Sequence, residues 1–261
     1  MKNALLIIDT QFDFCHPDGA LFVPGAEQDI ERMASLIRRR TDHIDHIVVT
    51  LDTHHLLDIA HPLFWRNADG NHPAPFTRIT ADDVETDRWV PQFFPNKARQ
   101  YVHDLEANGQ FEHFIWPEHC LIGSRGAALH DTLLDALTYW SRQRERDYVA
   151  VQKGLYSLTE HFGIFRAQVP DPAVPETQLN TALIADLDRF DTIYIMGEAK
   201  SHCVANSLKQ LLDFAPTLMP KVVVVTDCMS DVTGLGYLAA PIYQEALTRN
   251  VRFMESGAIF S

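Results

Sequence analysis

The amino-acid sequence predicts a doubly wound α/β fold, in which helices cover both faces of a mostly parallel β-sheet. Short runs of β-branched or apolar residues recur along the 261 residues, and helical patterns lie between several of them. The runs are nearly continuous in apolar residues, which is typical of strands that are buried on both faces. Strands that alternate with helices in this way form parallel sheets.

Seven runs are long enough for buried strands. They span residues 4–9, 46–52, 114–116, 148–153, 192–197, 221–227 and 251–255. Three connecting segments place apolar residues on one helical face: Ile30, Met33 and Ile37; Leu129, Leu133 and Leu137; and Val204, Leu208, Leu211 and Leu212. A further helix is predicted near Pro241, because proline suits a first helical turn.

We expect one domain over residues 1–261, since a chain of this length with 46% hydrophobic residues can bury a full core. Two stretches interrupt the pattern of strands and helices. An insertion at about 66–110 is rich in Pro, Asn and Asp, and a Pro-rich loop at about 168–180 carries Pro170, Pro172 and Pro175. Long irregular segments of this kind are usually lids, binding loops or interface arms.

Charge and cysteine content restrict the partners and the compartment. A net charge of −13 argues against nucleic acid or an anionic membrane as a partner and favours a small-molecule substrate. The apolar N-terminal stretch is too short to span a membrane and reaches Asp9 without a small-residue cleavage site, so we predict a cytoplasmic protein. The four cysteines form no C-x-x-C pair, which argues against a disulfide framework or a cysteine zinc site.

Reactive residue types follow the predicted strands at the ends where a parallel sheet holds its ligand crevice. They are Asp9, Asp52, His54, His119, Lys153 and Cys203. His119 follows the strand predicted at 114–116. Each one alone has a structural explanation, since a strand-end Asp can cap a helix and a helical Cys is often buried. Their joint position at one edge of the sheet indicates a catalytic site.

Cys203 is the candidate nucleophile. It lies in Gly-Glu-Ala-Lys-Ser-His-Cys-Val, where a strand turns into a helix, and the positive end of the helix dipole favours a thiolate there. Asp9 can accept the thiol proton, and Lys153 can hold Asp9 charged and stabilise the thiolate. The backbone N–H groups around Ala199 and Cys203 can bind an oxyanion. This arrangement predicts a thioester intermediate that water releases.

A second group of residues is suited to a metal ion. Asp52 and His54 project to the same side of an extended segment, and His119 can supply a third ligand. Two His and one carboxylate leave open coordination positions, as in catalytic or substrate-binding metal sites. His61 is a candidate fourth ligand, or a residue that orients one of the other three.

In combination these segments resemble the nicotinamidases within the isochorismatase-like cysteine hydrolases. The similar segments are Leu-Ile-Ile-Asp9-Thr-Gln-Phe, Val-Gln-Lys153-Gly, Gly197-Glu-Ala-Lys-Ser-His-Cys203, Asp52-Thr-His54 and Trp116-Pro-Glu-His119. The resemblance implies the isochorismatase-like fold and a catalytic triad of Cys203, Asp9 and Lys153. It also implies a cis peptide before Ala199, and a ring pocket with Phe14 and Trp116.

The resemblance further implies an amidase of NAD salvage that converts nicotinamide to nicotinate and ammonia, with a divalent ion, expected to be zinc, that binds the pyridine nitrogen. Asp-Thr-His-His in place of the family's Asp-Trp-His-Pro, together with the insertion, leaves open another amide, a ureide or a substituted pyridine carboxamide. A catalytically silent binding protein and a non-covalent ether hydrolase are the alternatives from other classes. Asp9, Lys153 and Cys203 together argue against both, and a homo-oligomer stays open.

Overall fold

The protein is described by a computed structural model that covers residues 1–109 and 112–260. Its strands are β1 (Asn3–Ile8), β2 (His46–Asp52), β3 (Trp65–Arg66), β4 (Arg78–Ile79), β5 (Val90–Pro91), β6 (His113–Phe114), β7 (Val149–Lys153), β8 (Thr192–Gly197), β9 (Val222–Val225) and β10 (Arg252–Met254). Its α-helices are α1 (Phe12–Cys15), α2 (Ala26–Arg39), α3 (Ala81–Glu85), α4 (Pro95–Ala107), α5 (Asp131–Arg144), α6 (Thr181–Asp188), α7 (Ala205–Phe214) and α8 (Ala240–Thr248). None of these described helices is long and apolar enough to cross a membrane.

The centre of the fold is a six-stranded sheet in the order β10-β9-β8-β1-β2-β7. All of its neighbouring strands pair in parallel. Every residue of β1 and β8 is buried, so both faces of the sheet are covered at its middle. Helix α2 packs against α5, and α7 packs against α8. The predicted fold class is confirmed.

The order of the strands fixes the position of the ligand crevice. The chain proceeds from β1 to β2 and β7 on one side and returns to β8, β9 and β10 on the other. The direction of winding therefore reverses between β1 and β8, and doubly wound sheets bind ligands beyond the carboxyl ends of the strands at such a point. Asp9 follows β1 at this position, and Cys203 follows β8.

One predicted strand is wrong. Residues 114–116 do not enter the central sheet, because β6 ends at Phe114 and pairs antiparallel with β4 in a separate two-stranded sheet. The run is apolar for another reason. Ile115 is buried in a second hydrophobic cluster, and Trp116 packs against the main core and lines a pocket.

The predicted insertion is more regular than its composition suggests. Its described part contains α3, β4, β5 and α4, and residue 110 at its predicted end lies outside the described residues. The second hydrophobic cluster is built from its apolar side chains and from neighbours on both flanks: Ile59, Phe64, Trp65, Ile79, Val84, Ala98, Tyr101, Val102, Leu105 and Ile115. Lys97 of α4 forms an ion pair of 2.8 Å with Asp171 of the Pro-rich loop, so the two segments touch.

Candidate active site

The three residues predicted to carry the catalysis meet at the carboxyl edge of the central sheet. Asp9 directly follows β1, Lys153 ends β7, and Cys203 lies in a single π-helical turn, Lys200–Val204, between β8 and α7. The side chains of all three are buried. Four parallel strands that lie side by side, β8-β1-β2-β7, therefore bring together residues that are up to 194 positions apart in the sequence.

Lys153 is the centre of this group. Its Nζ atom lies 2.9 Å from Oδ2 of Asp9, 2.9 Å from Oδ1 of Asp52 and 3.7 Å from Sγ of Cys203. Asp9 also accepts a hydrogen bond of 2.5 Å from the hydroxyl of Thr50 on β2. Acidic and thiol ligand atoms of Asp9, Asp52 and Cys203 lie within 4.8 Å of one another, but the Lys153 ammonium occupies the space that a metal ion would need there.

The buried environment determines the protonation states. Burial lowers the pKa of Lys153, but Asp52 and Asp9 outweigh it and raise that pKa well above its ordinary value, so Lys153 is charged. Burial raises the pKa of Asp9, which Lys153 opposes. Burial also raises the pKa of Cys203 more than Lys153 lowers it, so the helix-terminus effect expected from the sequence does not prevail. The resting thiol keeps its proton, and Cys203 shares a hydrogen bond with Asp9, the acceptor for that proton.

The segment before the nucleophile has an unusual backbone. The Glu198–Ala199 peptide bond is cis, as the resemblance implies. Gly197 has φ +119°, and a Cβ atom built there would lie 2.1 Å from the carbonyl oxygen of Ile8, so only glycine fits. Ala199 and Cys203 line the same pocket. Their backbone is therefore next to the position where a substrate carbonyl would meet the thiol.

Asp52, His54 and His119 form a compact cluster of potential metal ligands. Their ligand atoms lie within 4.8 Å of one another, and all three side chains are buried. Nε2 of His54 lies 3.1 Å from Oδ2 of Asp52, and Nε2 of His119 lies 3.7 Å from the same oxygen. Burial opposes ionisation of Asp52, but Lys153 and His54 hold its pKa well below the usual range. Asp52 is therefore a carboxylate, the form that binds cations.

The outward-facing nitrogens of both histidines have acceptors. Nδ1 of His54 lies 3.2 Å from Oδ2 of Asp58, and Nδ1 of His119 lies 2.8 Å from the carbonyl oxygen of Pro117. Burial lowers the pKa of His54, but Asp52 and Asp58 outweigh it and raise that pKa well above its ordinary value, so a metal ion would displace the proton from Nε2. Acceptors of this kind beside the other ring nitrogen orient metal-bound histidines. The residues present therefore fit a divalent ion. Asp58 was not predicted as part of the site.

His61 lies beside the cluster. Its ring centroid is 5.2 Å from that of His54 and 5.5 Å from that of His119. Its buried Nε2 has no hydrogen-bond partner among the described residues. Burial and the neighbouring His119 lower its pKa to about 4, so the ring is neutral and can act as a ligand. Nδ1 lies 3.2 Å from the carbonyl oxygen of His55.

Several aromatic side chains line the pocket that opens onto Cys203. Phe14 and Trp116 line it, together with Asp52 and His119. The remaining lining residues are Leu21, Glu160, Phe162, Ala199, His202 and Val232. A larger apolar groove, lined in part by Leu56, Phe94 and Leu155, contains none of the proposed catalytic residues or metal ligands. We therefore place the candidate active site in the smaller pocket, where the nucleophile lies.

Three of these lining residues were missed from the sequence. Glu160 is buried and accepts a hydrogen bond of 3.1 Å from Nε1 of Trp116. Burial raises its pKa to about 8, so it is largely protonated at neutral pH. His202 and Phe162 pack edge to face against each other and against Trp116. The only sequence signal is proximity, since Glu160 and Phe162 follow the catalytic lysine strand and His202 precedes Cys203.

Comparison with known proteins supports the resemblance that the motifs predicted. No family model matches the chain. The nicotinamidase of Saccharomyces cerevisiae is 24% identical over 202 residues, which cover 77% of this chain and 77% of that protein. The crystal structure of yeast nicotinamidase bound to the inhibitor nicotinaldehyde matches with a TM-score of 0.65 at 20% identity, over 97% of this chain and 99% of the other.

A second similar protein was crystallised with a metal ion. The structure of the pyrazinamidase of Pyrococcus horikoshii in complex with zinc matches with a TM-score of 0.56 at 18% identity, over 98% of this chain and 99% of the other. Matches at this level of identity, over nearly the whole of both chains, establish a common fold. The predicted resemblance is thus confirmed: the chain is similar to nicotinamidases and has their isochorismatase-like fold.

Proposed function

We propose that this chain is a cysteine amidohydrolase that hydrolyses nicotinamide to nicotinate and ammonia. One observation carries the proposal. The Lys153 ammonium lies 2.9 Å from Asp9 and 3.7 Å from the Cys203 thiol at the base of an aromatic pocket, beside a cluster suited to a metal ion. Thiol, proton acceptor and fixed cation are the parts that acyl transfer through a thioester requires. The similarity to the yeast nicotinamidase supports the substrate class.

The first half of the proposed reaction forms the thioester. Asp9 takes the proton from the Cys203 thiol as sulfur attacks the carboxamide carbon, and Lys153 stabilises the negative charge on sulfur and on Asp9. The N–H groups of Ala199 and Cys203 bind the oxyanion. When the C–N bond breaks, Asp9 returns its proton to the leaving nitrogen, and ammonia departs.

The second half releases the acid. Asp9, again ionised, accepts a proton from a water molecule that attacks the thioester carbon. The same N–H groups bind the second oxyanion. Collapse of this intermediate breaks the C–S bond, and Asp9 returns its proton to the sulfur. The acid leaves and loses its own proton to solvent, which gives nicotinate. The enzyme ends in its starting protonation state, with one water consumed for each amide.

Asp52, His54 and His119 are the proposed ligands of a divalent ion, which we expect to be zinc, with His61 as a further candidate. When bound, such an ion supplies an open coordination position for the pyridine nitrogen and so orients the ring. The zinc complex of the similar pyrazinamidase supports this assignment. Phe14 and Trp116 are the proposed walls for the ring.

The domain organisation, the cellular role and the range of substrates complete the proposed function. We propose one domain over residues 1–261 with an insertion at about 66–110 and a Pro-rich loop at about 168–180, and a cytoplasmic enzyme of NAD salvage. The insertion contacts the site directly, because the Tyr101 hydroxyl accepts a hydrogen bond of 3.4 Å from the backbone N–H of Glu160. A substituted pyridine carboxamide, another amide or a ureide is the alternative substrate, because His202 and Glu160 add polar groups to the pocket.

Ammonia release from a panel of carboxamides tests the proposal. Nicotinamide should be hydrolysed far better than benzamide, which has the same shape but no ring nitrogen. That preference should fall strongly after chelation or in His54→Ala, because it depends on one coordinate bond. Elemental analysis should find bound metal in the untreated protein. No ammonia from any aromatic amide would refute the proposed activity, and a preference that survives chelation would refute the role of the metal.

A further inference from the structure

Two buried carboxyl groups lie in contact behind the peptide that carries Ala199. Glu198 is 0% exposed and Asp29, on α2, is 3% exposed, and each carboxyl group lies close enough to influence the pKa of the other. Ser230, in the loop after β9, contacts both. Its backbone N–H donates to Oε2 of Glu198 at 3.2 Å, and its hydroxyl donates to Oδ2 of Asp29 at 2.5 Å.

Two adjacent buried carboxylates would repel each other, so we expect the pair to hold one proton. The geometry assigns the proton to Glu198. Nη1 of Arg32 lies 3.0 Å from Oδ1 of Asp29, which favours the charge on Asp29. Burial and the proximity of Asp29 both raise the pKa of Glu198 well above its ordinary value.

This pair fixes the backbone on both sides of Ala199. Glu198 precedes Ala199 and is bonded through its side chain to the Ser230 N–H. Lys200 follows Ala199, and its backbone N–H donates to the carbonyl oxygen of Ser230 at 2.8 Å. Ser230 is in turn bonded to Asp29 on α2, whose buried apolar residues belong to the main core. Neither Glu198 nor Asp29 is among the residues that line the pocket.

We infer that protonated Glu198 is a positioning residue, which acts with Asp29 and Ser230 to hold the Ala199 peptide where it can bind the oxyanion. The inference rests on the proposed function, because it assigns a role in that reaction. Several other titratable or charged groups face the pair or one of its members: Cys15, Arg32, Asp227, Cys228, Asp231 and Tyr243. A comparison of variants at position 198 isolates Glu198 from these groups.

The test compares Glu198→Gln and Glu198→Ala with Glu27→Gln, an exposed control on the same helix as Asp29. Gln can donate to Asp29 and accept from the Ser230 N–H, so we expect its kcat within about 3-fold of wild type. Ala cannot, and misplacement of the oxyanion site should lower kcat about 10- to 100-fold while KM changes less than about 3-fold. The kcat of wild type and of Glu27→Gln should decline at alkaline pH as Glu198 loses its proton. The kcat of Glu198→Gln should not show this decline.

Thermal unfolding supplies a readout that needs no substrate. The raised pKa of Glu198 stabilises the folded state at low pH, and this stabilisation is lost as pH rises. The Tm of wild type and Glu27→Gln should therefore fall more on the alkaline side than that of Glu198→Gln. If wild type releases no ammonia, the proposed function fails, while this comparison still tests the shared proton.

Three results would overturn the inference. The first is a folded Glu198→Ala enzyme with the kcat of wild type. The second is a folded Glu198→Gln enzyme as impaired as Glu198→Ala, since that would mean a chemical role for the carboxyl group. The third is a Glu198→Gln enzyme whose pH profiles of kcat and Tm are identical to those of wild type. This result decides the question even if Glu198→Ala does not fold.

Discussion

Asp52 directs its two carboxylate oxygens to different partners, and the Oδ1 atom lies 2.9 Å from Nζ of Lys153. Oδ2 faces the Nε2 atoms of His54 and His119. One side chain therefore links the proposed catalytic lysine to the proposed metal ligands. Removing Asp52 would leave Lys153 with one carboxylate fewer in a buried site, so its loss would affect both the cation of the triad and the binding of metal.

Replacing the nucleophile should abolish the reaction and keep the fold. Cys203→Ala removes the attacking sulfur and leaves a small side chain that fits the same turn. Intact-mass analysis with a slowly hydrolysed amide should show an acyl adduct on wild type and none on the variant. Cys228→Ala, at a cysteine that is also fully buried, is the matched control and should form the adduct. Near-normal turnover by Cys203→Ala would rule out covalent catalysis.

Asp9→Asn and Lys153→Ala should each lower kcat/KM by about two to four orders of magnitude, because the buried thiol gives up its proton only to a nearby base beside a cation. Alkylation of Cys203 by iodoacetamide, followed by mass spectrometry, should slow in parallel. Lys209→Ala, at an exposed ion pair with Asp213, should change neither rate. Because Lys153→Ala removes the cation that two buried carboxylates share, circular dichroism must show that the variant is folded. Unchanged alkylation in a folded variant would contradict the proposed roles.

Asp58→Asn should weaken metal binding about 10- to 100-fold without removing any ligand, because Asp58 orients the His54 ring. Competition with a chromogenic chelator measures the affinity directly. Asp186→Asn provides the control, since Asp186 holds His46 at 2.8 Å in the same kind of pair away from the site. Equal affinities for Asp58→Asn and wild type would contradict the proposed role of the Asp58 carboxylate in orienting His54.

The buried Glu160 should make the free energy of unfolding of chelator-treated protein depend on pH. Burial raises its pKa from 4.5 to about 8, so the folded state binds a proton that the unfolded state releases. The contribution is complete below the unfolded pKa and is lost as pH rises to about 8, at up to about 1.4 kcal/mol per pH unit. Glu160→Gln keeps the acceptor for Trp116 and should lack this loss. Urea unfolding at several pH values measures the stability of wild type and of Glu160→Gln. If the stability of both proteins changes with pH in the same way, the assigned role of Glu160 is wrong.

The sequence by itself determined the central sheet and the main reactive groups. Apolar runs marked β1, β2, β7 and β8, and the residues that follow them include Asp9, Asp52, Lys153 and Cys203. This succeeds because strand formation is governed by local hydrophobic pattern and because parallel strands place their carboxyl ends at one edge. The same reasoning failed for residues 114–116, since an apolar run does not reveal which of two cores buries it.

Only the tertiary structure decided the contacts between distant residues and the effect of burial on charge. The pair of Asp29 and Ser230 is separated by 201 positions, and no local pattern connects them. The same holds for Glu160 beside Trp116, which are 44 positions apart. Asp58 is close to His54 in the sequence, but their contact depends on the conformation of the loop that carries both. The helix start favoured a thiolate at Cys203, but burial raises the pKa of the thiol and keeps it protonated. The cost of desolvating a charge depends on everything packed around the group, which a sequence pattern does not contain.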